Sequence, residues 1–129
     1  MGKELESKQF VMSEDAVRAK QLDAVRALLA AKADVEGVDR NGSTPLGRAA
    51  YCGAVAVMKA LLDAGAKIEA ADSFGRRPLH VASDNGKLDA VRLLIQRGAV
   101  PTPKDNDLRT PEEPATLAGY FDIVDLFAK

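Results

Sequence analysis

The sequence predicts an all-α stack of short helix pairs, on three observations. The chain repeats itself at a step of 33 residues. Each copy is punctuated by proline before a helical pattern and glycine after it. Within each copy the large apolar residues recur three and four apart, the period of one helix face.

The repeat is read column by column. Asp39, Asp72 and Asp105 align, as do Pro45, Pro78 and Pro111, and Gly53, Gly86 and Gly119. Ala49, Ala82 and Ala115 form a small column, and Ala33, Ala66 and Ala99 another. The apolar columns are Leu22, Val55, Leu88 and Phe121; Val25, Met58, Val91 and Val124; and Leu28, Leu61, Leu94 and Phe127. The columns run without a gap, which sets them apart from chance coincidence.

The elements follow in order. In the first copy Ser13-Glu14-Asp15 reads as a helix start, with a serine cap and carboxylates at the positive dipole end. Lys20 and Lys32 stand where later copies have glycine. A lysine in a left-handed cap costs about 1–2 kcal/mol, so these turns are expected to depart from the glycine geometry. In the second copy Thr44 caps a short helix, Pro45 opens it and Gly53 closes it. A second helix carrying Val55, Met58, Leu61 and Leu62 stops at Gly65. The third copy repeats this after the turn Ser73-Phe74-Gly75. Pro101 and Pro103 stiffen the approach to Asp105. The last copy has Thr110-Pro111-Glu112-Glu113-Pro114, with Glu112 in the leucine position and Pro114 near the first helical turn. That pattern suits a solvent-facing cap. Two short helices cannot bury both faces alone, so the core is expected to be a row of interfaces between neighbouring pairs.

Composition narrows the function. With 47% apolar and 29% charged residues the chain reads as folded, and 129 residues suit one domain. A net charge of −1 disfavours nucleic-acid binding through phosphate neutralisation. No apolar run approaches the ~18 residues of a membrane span. The N-terminus lacks the apolar core of a signal peptide, and Glu6 stands where a myristoylation signal wants Ser or Thr. One cysteine, Cys52, rules out an internal disulfide, and the expected setting is a reducing cytoplasmic or nuclear one.

Reactive groups are sparse. The single histidine, His80, reads as a packed, hydrogen-bonded residue. It has no partner spacing for a metal, and Cys52 has no evident base. There is no glycine-rich phosphate loop. Glu14-Asp15 and Glu112-Glu113 are explained by helix starts. Asn41-Gly42-Ser43 matches a glycosylation acceptor but reads better as a turn. The expectation is no enzyme, no cofactor and no metal.

The stretches from Asp39-Arg40-Asn41-Gly42-Ser43-Thr44-Pro45-Leu46 through Leu61-Leu62-Asp63-Ala64-Gly65-Ala66 resemble the ankyrin repeat. So do those from Asp72-Ser73-Phe74-Gly75-Arg76-Arg77-Pro78-Leu79-His80 through Leu93-Leu94-Ile95-Gln96-Arg97-Gly98-Ala99. The resemblance implies an ankyrin-repeat solenoid of stacked helix-turn-helix pairs with β-turn fingers. It forms one domain over 1–129, with copies at about 9–37, 38–70, 71–103 and 104–129. The end copies are degenerate caps. Gly47 replaces the family's motif histidine and Arg77 its motif threonine, so the usual Thr–His network is incomplete in both central copies.

The resemblance further implies a protein-interaction module, monomeric, holding a partner protein on a concave face of turn tips and first helices. The positions carried over are Arg40, Asn41, Ser43, Ser73, Phe74, Arg76, Asn106, Asp107 and Arg109 on the turns. On the helices they are Arg18, Tyr51, Cys52, Asp84, Asn85 and Leu117. Phe74, Tyr51 and Arg76 stand out, because interface hot spots favour such residues. The alternative is a regulatory or targeting domain of a larger protein whose activity lies elsewhere.

Overall fold

The computed structural model describes residues 22–32 and 34–128. The helix start expected at Ser13, and the calls on Arg18, Lys20 and Ala33, lie outside the described residues. Among the described residues seven helices follow one another: α1 (Leu22–Ala30), α2 (Pro45–Cys52), α3 (Val55–Asp63), α4 (Pro78–Asp84), α5 (Leu88–Gln96), α6 (Glu112–Ala118) and α7 (Phe121–Phe127).

They form two layers. In one layer α2 packs on α4 and α4 on α6; in the other α1, α3, α5 and α7 pack in sequence. Within a copy the two helices form a pair, as α2 with α3, α4 with α5 and α6 with α7.

Local chemistry sets the ends of α2 as read from the sequence. The Thr44 hydroxyl accepts from the Gly47 N–H at 3.2 Å, and Pro45 is the first helical residue. Gly53 closes the helix at φ 69°. Pro114 is the third residue of α6 and is buried; its counterparts Arg48 and Val81 donate N–H bonds to Thr44 O and Arg77 O, and in the last copy Glu113 N–H reaches Thr110 O at 3.2 Å instead.

The core is the expected row of interfaces. Ala49, Ala82 and Ala115 are fully buried, letting the first helices approach closely. Leu61, Leu94, Val25, Met58 and Val91 are also fully buried. Their counterparts Leu28, Val124 and Phe127, in the outer copies, are half-buried. The remaining apolar column lies at the rim: Leu22, Val55 and Leu88 are half-buried and Phe121 is exposed. Glu112, Glu113 and Thr116 are exposed on α6, with Glu112 facing solvent as expected of a cap.

Each finger is a hairpin whose three-residue connection ends in a left-handed residue. Gly42 and Gly75 take φ 73° and 75°. A side chain there would also strike the next finger: a Cβ on Gly42 would sit 2.8 Å from the Ser73 nitrogen, and one on Gly75 2.9 Å from the Asn106 nitrogen. Adjacent fingers are stitched by backbone bonds, Ser73 N–H to Asn41 O and Asn106 N–H to Phe74 O, both 2.9 Å. Leu108 holds the same place in the last finger at φ 65°, with no further finger against it among the described residues.

One expectation is corrected. Lys32 keeps the geometry of the glycine it replaces, at φ 65°, alongside Gly65 at 96° and Gly98 at 93°. The helix-closing bond, Lys32 N–H to Leu29 O at 2.9 Å, forms despite the side chain. Packing of α1 on α3 outweighs a local penalty of about 1–2 kcal/mol.

Candidate functional site

The aspartate column builds the fingers. In the third copy Asp72 Oδ1 accepts from the Phe74 and Arg76 N–H groups, both at 2.9 Å, while Oδ2 accepts from Arg76 Nε at 2.9 Å. Asp105 does the same with the Asp107 and Arg109 N–H groups at 2.9 Å and Arg109 Nε at 3.3 Å. Asp39 accepts from the Asn41 and Ser43 N–H groups at 2.8 and 3.0 Å, but its arginine is Arg48, reaching from α2. Burial alone would raise the carboxyls of Asp39 and Asp105. For Asp39 and Asp105 the backbone N–H bonds and the facing guanidinium outweigh it and hold them below the usual carboxylate range.

Aromatic side chains lie under two of these arginines. The Arg76 guanidinium carbon stands 5.2 Å from the Phe74 ring centre, and that of Arg48 stands 5.9 Å from Tyr51. Both lie within cation–π range. Phe74 is 54% exposed at its finger tip and takes no part in the core cluster. Tyr51 is exposed on α2.

The other expected positions divide by whether the fold uses their side chains. Arg40, Asn41, Ser73 and Asp84 are exposed, and the fold engages Asn41 and Ser73 through their backbones. Ser43 is half-buried and its carbonyl accepts from the Asp39 N–H. Asn85 donates to Val81 O at 2.8 Å, closing α4, and Asn106 donates to Ser73 O at 3.1 Å, tying two fingers together. Arg76 and Arg109 cover aspartates, as above. Asp107 is exposed, 3.7 Å from Arg109. Cys52 is a half-buried free thiol, and Leu117 is 81% exposed.

Two features went unread in the sequence. The salt link from Arg48 to Asp39 was not anticipated, because it joins a helix to a finger nine residues away. Leu108, 72% exposed in a left-handed conformation, carried a signal that was missed. Its column holds glycine twice, so an apolar residue there serves neither the turn nor the core.

His80 is 2% exposed and bridges two copies. Its Nδ1 accepts from the Arg77 N–H at 3.1 Å, so the proton sits on Nε2, which donates to Arg109 O at 2.9 Å. No threonine side chain takes part, as the sequence implies, and the backbone of Arg77 supplies the Nδ1 bond. Burial is the largest influence on the imidazole and holds its pKa below the usual value, against the pull of the Arg109 carbonyl and Asp105. Among the described residues no group of three His, Cys, Asp or Glu could hold a metal, and no helix is long and apolar enough to cross a membrane.

No curated protein matches the chain. A family model described as ankyrin repeats (3 copies) matches residues 13–105, which takes in the second and third helix pairs whole and stops before the fourth. With that match over most of its length and helix pairs stacked through their fingers, the chain belongs to the ankyrin-repeat family.

Proposed function

We propose that this chain is a protein-interaction module that seats a partner protein on the face formed by its fingers and first helices. Ankyrin repeats generally mediate protein–protein interaction, and this reading adds the face. The observation that carries it is Phe74. An aromatic ring at a finger tip, away from the core and held under a guanidinium, contributes little to folding. Large side chains presented rigidly are what interface hot spots are made of. Tyr51 with Arg48, and Leu117, extend the same face along the first helices. The reading takes residues 1–129 as one monomeric domain, without catalysis, in a reducing intracellular setting consistent with the lone Cys52.

The test is affinity capture from native lysate with the full chain and its Phe74→Ala variant. Phe121→Ala, at the opposite end of the helices, serves as control. A protein retained by wild type and by Phe121→Ala, and lost with Phe74→Ala at unchanged thermal stability, supports the reading. Retention unaffected by Phe74→Ala and lost with Phe121→Ala overturns it.

A further inference from the structure

Solvent meets positive charge along the second and third fingers, although each finger contains an aspartate. Over residues 39–44 and 72–77 the acidic residues are Asp39 and Asp72, against Arg40, Arg76 and Arg77, of which Arg77 is paired with Glu69 at 3.5 Å. Both carboxylates are turned inward onto backbone N–H groups. The Asp72 side chain is 4% exposed and that of the Arg76 above it 31%, so this ion pair shows its cationic side. Arg40 is exposed and forms no ion pair with an acid among the described residues. Phe74 and Arg76 share the finger that adjoins the one bearing Arg40, joined to it by the bond from Ser73 N–H to Asn41 O. The stretch ends at the fourth finger, where exposed Asp107 faces Arg109.

We infer that the partner presents an acidic segment, with an aliphatic or aromatic side chain seated on Phe74 and flanking carboxylates reaching Arg40 and Arg76. This rests on the finger-face reading above and names the chemistry of its occupant. Asp72 and the Phe74 ring hold the Arg76 guanidinium in place, so a carboxylate that binds its outer edge need not order it. Arg40 lies at the rim, where a charge acts chiefly on encounter rate and salt dependence. A basic segment would meet like charge at both arginines. Nucleic acid shares the negative sign, but exposed Asp107 on the adjoining finger would repel a phosphate backbone continuing past the stretch.

The probe is a phage-displayed library of short random peptides, panned against the full chain. Selected sequences are then synthesised, and their affinities measured by fluorescence anisotropy at low and physiological salt. Arg40→Ala, Phe74→Ala and Phe121→Ala are tested alongside, with circular dichroism to check that each folds. The expected winners carry Asp or Glu around Leu, Ile or Phe. They lose affinity about tenfold with Phe74→Ala and severalfold with Arg40→Ala, weaken with salt, and ignore Phe121→Ala. Neutral or basic winners that still depend on Phe74 overturn the acidic partner while leaving the finger-face reading intact. Winners that ignore Phe74→Ala and depend on Phe121 overturn both. Failure to select any peptide, or tighter Phe74-dependent binding of a labelled single-stranded oligonucleotide, overturns the acidic peptide.

Discussion

Replacing His80 with alanine removes the one imidazole in the chain, and with it a link between the third copy and the fourth finger. Two hydrogen bonds are lost, at 3.1 and 2.9 Å, and the Arg77 N–H and the Arg109 carbonyl lose their partner. At about 1 kcal/mol for each bond, plus a cavity where a buried ring stood, the cost at pH 7.5 is about 3 kcal/mol. The cost depends on pH, with a definite sign. Burial depresses the folded pKa, so the unfolded chain takes up the His80 proton first. Stability from the neutral ring is therefore fully present above the unfolded value of about 6.5 and is lost as pH falls toward the lower folded value. The slope there is at most about 1.4 kcal/mol per pH unit for one proton. Urea titrations at pH 7.5 and pH 5.5 should thus show a smaller penalty for His80→Ala at the lower pH, and a flatter profile for the variant. A penalty that is equal at both pH values, or below about 1 kcal/mol, would refute the reasoning.

Other perturbations probe other layers. Leu61→Ala opens a cavity between α3 and its neighbours and should cost about 2–5 kcal/mol in urea denaturation; a cost under 1 kcal/mol would mean the column does not bear on the core. Lys32→Gly relieves the left-handed strain at φ 65°, and after the entropy cost of glycine should stabilise by about 0.5–1 kcal/mol. A lower urea midpoint at unchanged m-value would contradict that. The Ser83 hydroxyl is fully buried without a hydrogen-bond partner among the described residues, and Ala50 fills the same column one copy earlier. Ser83→Ala should therefore raise stability by about 1 kcal/mol, and a loss would show that the hydroxyl is satisfied in solution. Acid should destabilise the fingers in a separate window: Asp39 and Asp105 have lowered folded pKa values, so their contribution is present above about pH 4 and lost below it. Asp105→Asn should flatten the stability profile in that range, and an unchanged profile would count against it.

The sequence by itself determined the helix pairs, their ends and the order of stacking. Those properties are written in local chemistry that recurs at a fixed step: Thr44 and Pro45 at a helix start, Gly53 at its end, Leu61 and Leu94 one repeat apart. Contacts between copies were the part only the tertiary structure decided. Lys32 was expected to spoil its turn, and the packing of α1 on α3 holds it left-handed instead. His80 was expected to be hydrogen-bonded, and the stack supplies its partners: the Arg77 backbone N–H at the start of α4 and the Arg109 carbonyl of the next copy. Arg76 and Phe74 looked alike as free surface residues, until Asp72 was found beneath one and nothing of the core beneath the other. A repeat pattern records which residue types recur, and so reveals what every copy must do to fold. Where a side chain finds its partner in another copy, or on the other side of a turn, identity and spacing leave several outcomes open. The geometry of the stack selects among them.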